Sequence, residues 1–460
     1  MRSVRLGILI LVAFAILAEG AVEPWSQATL EVGAAVLFLL WGFMCIQARR
    51  ITIRRNWIYW PLLGLAGVAL MQELLGLTIY PYATKVELLK GTAYLILCFL
   101  AVEAFPTAEK RQQFAWTLVG LAFLVSLFGI LQYFTFNGKL YWFRPLPLGA
   151  TTPFGPYVNA NHFAGFAELT MPMGIAMALS GSIQRDKLAL ISLCAVLPLA
   201  ALVLCGSRGG LASFFLELAV LGYLVGRRRG GKKRLLTAAS LALAGCLLLL
   251  WLGTGRMISR LSTLSPEGIS NDRRVSLFKD TWNIFLNHPW TGTGLGTLQA
   301  AYPRYATFYD GLIVDHAHND YLELLADTGI IGGLCGLGFL AILFWQARNN
   351  LRVAATPMAR SFYIGASSAC VGLLVHSLVD FNLHIPSNAL LFLLLASLLA
   401  LPAERSNRYC TDGPAIPATT KDSNTGRQEK QLVSEIGLEE ECSAAAGDLT
   451  ERKARAASGR

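Results

Sequence analysis

Long apolar runs separated by short basic loops set the strongest limit on what this chain can fold into. About twelve stretches, near 6–22, 29–48, 57–77, 88–104, 114–134, 163–180, 188–205, 208–226, 235–253, 324–346, 361–379 and 388–403, approach the roughly 20 mostly apolar residues that a bilayer-crossing helix needs. In hydrocarbon, backbone N–H and C=O groups must bond within the segment, so such runs are read as helices. The 460 residues would otherwise correspond to two or three soluble domains. With 54% hydrophobic and only 15% charged residues, soluble cores cannot absorb the apolar sequence. The expected fold class is an all-α membrane protein of about twelve transmembrane helices with one large external loop.

The formal net charge of +10 is a matter of position. Nucleic-acid binding would cluster Lys and Arg with aromatics in a soluble module, whereas here most occupy short loops between apolar runs. With the N-terminus inside, Arg49, Arg50, Arg54 and Arg55 fall on the cytoplasmic side. So do Lys110 with Arg111, Arg185 with Lys187, the run Arg227, Arg228, Arg229, Lys232, Lys233 and Arg234, and later Arg348, Arg352 and Arg360. The outside then receives the loops near 78–87 and 135–162, the segment 254–322 and the turn from Asp380 to Ser387. Arg2 and Arg5 before a short apolar run resemble a signal peptide, but no clear small-residue cleavage site follows, and a retained helix is expected. Seven of the nine cysteines, Cys45, Cys98, Cys194, Cys205, Cys246, Cys335 and Cys370, sit in or beside apolar runs, as small hydrophobes do. The organisation expected is N-terminal membrane helices over 1–150, a core over 151–403 that includes the loop 254–322, and a disordered cytoplasmic tail over 404–460, which is polar and poor in aromatics.

Within the external segment, Val275, Leu277, Phe278, Trp282, Ile284 and Phe285 recur at helical spacing between Asn271 and His288. That spacing predicts an amphipathic helix at the membrane surface, ended by Pro289 and a flexible turn over Gly292, Gly294 and Gly296.

Four groups of residues could carry chemistry. Arg208, in Ser207-Arg208-Gly209-Gly210 between two apolar runs, reads either as an anchor snorkelling to headgroups or as an anion clamp. For the clamp, a helix beginning at Ser207 offers free backbone N–H groups, and the two glycines let a phosphate approach. The second group is Asp315-His316-Ala317-His318-Asn319-Asp320-Tyr321-Leu322-Glu323. In it Asn319, Glu323 and Asp327 fall four apart and form a polar stripe entering the bilayer, expected to face a water-filled cavity. His318 reads as a candidate proton acceptor and His316 as a solvated loop histidine. A zinc or manganese site over Asp315, His316, His318 and Asp320 is an alternative, but no HExxH or DxD spacing accompanies it, and a nucleotide-sugar enzyme is disfavoured for the same reason. In Asp272-Arg273-Arg274, an arginine could share a diphosphate with Arg208. His376, Asp380, Asn382 and His384 read as groups that cap and position the bundle.

Ser207-Arg208-Gly209-Gly210 at a span end, Arg274 before Leu277 and Phe278, His288-Pro289 leading to Gly292-x-Gly294-x-Gly296, and His318-Asn319 followed by Leu322, Leu325 and Gly329 together resemble the core of the O-antigen ligase and polymerase superfamily. Asn159, Asn161 and His162 after Gly155-Pro156 resemble its asparagine motif. The resemblance covers about 150–400, and the usual tryptophan after the second arginine is Phe278 here.

Membership implies a GT-C-like glycosyltransferase bundle in a bacterial inner membrane, with both termini cytoplasmic and the active site periplasmic. The implied reaction moves a glycan from undecaprenyl pyrophosphate to an acceptor hydroxyl on a glycan, a lipid A-core or a protein, without metal, cofactor or nucleotide sugar. Carried onto this sequence, Arg208 and Arg274 hold the pyrophosphate and His318 activates the hydroxyl, with Arg273, His316, Asn319 and Glu323 as secondary candidates. A polymerase or protein O-oligosaccharyltransferase of the same family is an alternative. A flippase of lipid-linked glycans is another, although no internal repeat of the kind common in transporters is visible.

Overall fold

Many of the helices begin where the sequence offers a cap or a proline. Thr107, Asn159, Asn319 and Thr356 accept hydrogen bonds from backbone N–H groups of the first turn, Pro357 follows Thr356 in the last of these, and three other helices open on Pro24, Pro81 and Pro386, whose missing N–H costs nothing there. The computed structural model describes residues 1–146, 153–181, 183–226, 273–308, 311 and 313–403. The apolar run near 235–253, the basic run after Gly226, Asp272 and the tail 404–460 lie outside the described residues.

In chain order the helices are α1 (Arg2–Leu17), α2 (Pro24–Gln47), α3 (Tyr59–Leu74), α4 (Pro81–Ala104), α5 (Ala108–Phe134), α6 (Ala160–Leu179), α7 (Leu188–Cys205), α8 (Arg208–Gly226), α9 (Arg273–Asn287), α10 (Asp320–Val353), α11 (Pro357–His376) and α12 (Pro386–Ala400). Five of them, α2, α5, α8, α10 and α11, are long and apolar enough to cross a membrane, and most of α7 together with α12 forms shorter apolar helices. A two-stranded hairpin, β1 (Lys139–Leu140) with β2 (Arg144–Pro145), pairs antiparallel. Arg144 ties it to the α1–α2 turn through Glu19 at 2.6 Å and Glu23 at 3.4 Å.

Helices α6, α11 and α12 are buried on nearly every face and form the centre of the bundle, as helices apolar all round must. Small residues let them approach: a β-carbon on Gly365 would press on Met173, and one on Gly210 would collide with Ala164. The outer helices α2 and α3 instead leave Leu39, Phe43, Trp60 and Leu63 exposed, as lipid-facing sides do.

Helix α9 is the amphipathic helix expected between Asn271 and His288. Leu277 and Ile284 join Leu298, Tyr302, Ala317 and Ala326 in a small second core, while Trp282 and Leu286 stay exposed. The turn after it departs from expectation, because it is a clamp on α10. Gln72 of α3 donates to the carbonyls of Thr291 (2.5 Å) and Asp327 (2.8 Å), and Gly296 N–H donates to Asp327 Oδ2 at 2.7 Å. Gly329, at φ 64°, breaks α10, and Gly292 sits at φ 69°. A side chain on either would strike the other segment's backbone, so these glycines serve close approach.

Candidate active site

Asp380 lies in the turn between α11 and α12, fully buried, and gathers groups from three other parts of the chain. His318 Nδ1 stands 3.3 Å from Oδ1. Arg274 Nη2 stands 3.7 Å from Oδ2 while its Nη1 donates to the Val379 carbonyl at 2.7 Å, and the Asn161 amide donates to the same carboxylate. Burial alone would raise the carboxyl's pKa, but His318, His162, His376 and Arg274 outweigh it and hold it well below the usual carboxylate range. Asp380 therefore presents a fixed negative charge that orients an imidazole and a guanidinium whose side chains remain 24% and 31% exposed.

His318 reaches Asp380 through local backbone geometry. It has φ 52°, in the left-handed region that a side chain with a β-carbon seldom adopts, and this turns the ring away from the direction of its neighbours. Asn319 fixes the next residue: its Oδ1 accepts from the N–H groups of Tyr321 and Leu322 at 3.0 Å, and its Nδ2 donates to the Leu378 carbonyl at 2.9 Å. One side chain thus caps α10 and ties the His318 loop to the Asp380 turn. Phe381 stands between the imidazoles, with His318 and His162 edge-on at 4.8 and 4.9 Å and His316 stacked at 4.5 Å.

Glu323, only 2% exposed, forms a second centre. Its Oε1 receives His316 Nδ1 at 2.8 Å and His384 Nε2 at 3.2 Å, and its Oε2 accepts from Ala317 N–H at 2.8 Å. His384 Nδ1 pairs in turn with Asp320 at 2.8 Å. Burial would lower the His384 pKa, yet Glu323 and Asp320 outweigh it and raise it to about 10.

Arg208 opens α8, where the Ser207 hydroxyl accepts from Gly210 N–H at 3.1 Å. Gly209, the next residue, lies against His376 and Val379, so the amino end of α8 abuts the turn that holds Arg274 and His318. Arg208 itself is exposed.

The structure thus brings His318, Arg274 and the start of α8 around one turn, and it corrects three readings. His316 is not a solvated loop histidine: it is paired to Glu323 and stacked on Phe381. The stripe of Glu323 and Asp327 makes its hydrogen bonds to loop backbone and histidines, with side chains 1–2% exposed, instead of facing a water-filled cavity. The four residues of the metal alternative do not converge, since His318 turns to Asp380 and Asp320 to His384. Instead His316, Glu323 and His384 place one ligand atom each within 4.8 Å of one another, a set that could hold a metal ion.

Asp380 and His384 were read as structural, and Phe381 and Glu168 were not singled out. Their partners lie 62 or more residues away in sequence, as for His318 with Asp380 and His376 with Glu168. The available signal was the density of polar residues over 376–388 at a span end. Arg273 is partly buried beside Arg274, and the ion pair to Asp380 is made by Arg274.

The fold and site define a helical membrane protein with an Arg–Asp–His cluster where the start of α9 and the loop before α10 meet the α11–α12 turn. Residues 193–337, which contain Arg208, Arg274, His316, His318, Asn319 and Glu323, match the family model described as O-antigen ligase. This match and two relatives together support a likeness to the O-antigen ligase superfamily.

The chain is 29% identical over 239 residues to the teichuronic acid biosynthesis protein TuaE of Bacillus subtilis, covering 49% of this chain and 47% of that protein. It is 26% identical over 283 residues to an O-antigen ligase of Pseudomonas aeruginosa, covering 60% of this chain and 62% of that protein. The chain thus spans about half to three-fifths of the curated relatives it matches.

Proposed function

We propose that this protein is a membrane glycosyltransferase of the O-antigen ligase type, moving a glycan from undecaprenyl pyrophosphate to an acceptor hydroxyl at the periplasmic face of a bacterial inner membrane. The observation that carries the reading is the meeting of His318 and Arg274 on Asp380, beside the amino end of α8 that bears Arg208.

In the reaction, the acceptor oxygen attacks the anomeric carbon and gives up its proton to His318 Nε2. The bond from that carbon to the phosphate oxygen breaks, and the electron pair leaves with the pyrophosphate. Pyrophosphate is already a competent leaving group, so the site's work is to neutralise charge and to orient the hydroxyl. Arg208, Arg274 and the positive amino end of α8 meet the anion. Asp380 holds the His318 ring by Nδ1 and stabilises the imidazolium that forms. Neither step uses a metal ion or an organic cofactor.

Donors are lipid-linked glycans, and the acceptor is a glycan, a lipid A-core or a protein. The relative named for teichuronic acid biosynthesis favours a second reading within the same chemistry, in which the acceptor is a growing polysaccharide.

The test is reconstitution of the purified protein with a lipid-linked glycan and candidate acceptors. The expected result is a glycan joined to the acceptor with release of undecaprenyl pyrophosphate. Transbilayer movement of intact donor with no product would favour a flippase and overturn the proposal. Reporter fusions at Gly230 and Gly268 test the orientation: the one-sided basic loops support Gly230 in the cytoplasm and Gly268 in the periplasm. A periplasmic signal at Gly230 would reverse the active face.

A further inference from the structure

His376 and Glu168 form a second imidazole–carboxylate pair that the proposed chemistry does not use. Both side chains are fully buried, and His376 Nδ1 lies 3.1 Å from Glu168 Oε1. Glu168 belongs to α6 and His376 ends α11, so the pair bridges two helices at the centre of the bundle.

The other ring nitrogen has a different environment. Nε2 is buried and makes no hydrogen bond among the described residues. It is aimed at the first turn of α8: a β-carbon built on Gly209 would stand 2.9 Å from it. Only glycine fits at that position, and it lies one residue after Arg208.

A buried imidazole left with an unpartnered nitrogen is costly unless the site uses it. When the ring carries both protons, Nδ1–H is directed at the Glu168 carboxylate, the Nε2–H edge faces the α8 terminus, and the positive end of the pair lies beneath it. Helix N–H groups already carry positive potential there, and a cationic group directly beneath them deepens it for an anion. In the low-dielectric bundle such a charge is felt more strongly than one in water.

We propose that the His376–Glu168 pair is a positioning device for the donor's pyrophosphate, placing an imidazolium beneath the Ser207–Gly210 turn so that the α8 amino end and Arg208 hold the anion. The inference rests on the pyrophosphate reading of Arg208. It assigns to His376 donor affinity rather than proton transfer, because His376 is fully buried and packed under Gly209. Glu168 acts through His376, fixing the ring and its charge.

The test is steady-state transfer by purified full-length protein, with donor and acceptor varied separately, for Arg208→Ala, His376→Gln, Glu168→Gln, Glu168→Asp and Glu217→Gln. The expected result is a donor KM raised roughly tenfold in His376→Gln and Glu168→Gln, the scale of a favourable helix-terminus charge. The kcat and the acceptor KM should stay near those of the wild type. Glu168→Asp keeps the charge and should recover part of the loss, which a packing defect would not. Glu217, a second buried carboxylate and one with no hydrogen-bond partner among the described residues, lies further along α8 and serves as the control, with unchanged donor KM expected for Glu217→Gln.

A raised donor KM in Arg208→Ala together with wild-type donor KM in His376→Gln and Glu168→Gln would overturn the inference and leave the anion site standing. An unaffected donor KM in Arg208→Ala would remove the anion site itself. Should the glutamine variants fail to fold, the smaller His376→Asn decides in their place: a donor KM equal to the wild type's counts against the pair.

Discussion

Asp380 and Glu323 are two buried carboxylates that each pair with a histidine of the same loop, yet they organise their surroundings differently. Both oxygens of Glu323 are taken up by His316, His384 and the Ala317 N–H, which locks the loop onto α10. Asp380 gathers His318, Arg274 and Asn161 from three elements, and the imidazole and guanidinium it holds remain partly open. A carboxylate saturated by neighbours stabilises a loop, whereas one that orients partly exposed cations can serve a reaction. In the proposed reaction, which histidine takes the proton follows from which carboxylate it faces.

The largest expected effect separates the two centres directly. His318→Ala should lower glycan transfer by about two to four orders of magnitude, the usual range for losing a general base, with donor binding retained. His316→Ala should cost transfer less. Equal losses, together with inactivation by EDTA, would instead favour the metal-capable set of His316, Glu323 and His384 and end the metal-free mechanism.

Next in size are the arginines. Arg208→Lys should lose transfer by roughly ten- to a hundredfold although its charge is kept, because an ammonium cannot reproduce the bidentate fork on phosphate. Normal transfer by a well-expressed Arg208→Lys would reduce Arg208 to a membrane anchor. Arg274→Ala should damage transfer more than Arg273→Ala, since it is Arg274 that reaches Asp380. The reverse order would move the clamp by one residue.

The Glu323 centre should answer in stability. Glu323→Gln removes one partner of a buried charged network, a loss on the order of 3–5 kcal/mol, and should lower the melting temperature of the detergent-solubilised protein more than it lowers the activity of the folded fraction. Selective loss of activity at unchanged melting temperature would place Glu323 with Asp380.

How far this division could be read from the chain depends on sequence separation. The apolar runs were legible because each helix declares itself within about 20 residues. The stretch 273–287 was legible from its periodicity. The role of Asp380 was not, because His318 and Asn161 lie 62 and 219 residues away and only the packing of α6, α10 and α11 joins them. The glycines at 292, 294 and 296 misled for another reason. Positive φ marks both a flexible turn and a tight approach, and only the facing backbone of Asp327 and Thr328 tells them apart. His316 misled because it does lie in a loop, and only the folding of that loop back onto Glu323, seven residues on, packs it against a partner.

The smallest expected effect is a pH slope. The His384 pKa is raised to about 10 in the folded protein, against about 6.5 for an unperturbed histidine. Its contribution to stability is complete below about pH 6.5, declines as pH rises, and is lost above about 10. Melting temperatures measured from pH 6.5 to 10 should fall in the wild type, and His384→Gln should flatten that part of the profile. An identical slope in His384→Gln would detach His384 from the Glu323 centre.

The most direct test of the central claim, that Asp380 acts on the reaction through His318, is a double-mutant cycle on kcat/KM for glycan transfer with His318→Ala, Asp380→Asn and the double variant. The account predicts that Asp380→Asn is costly alone and adds nothing once His318 is alanine. Losses that multiply in the double variant would mean that the two residues act independently and would contradict it.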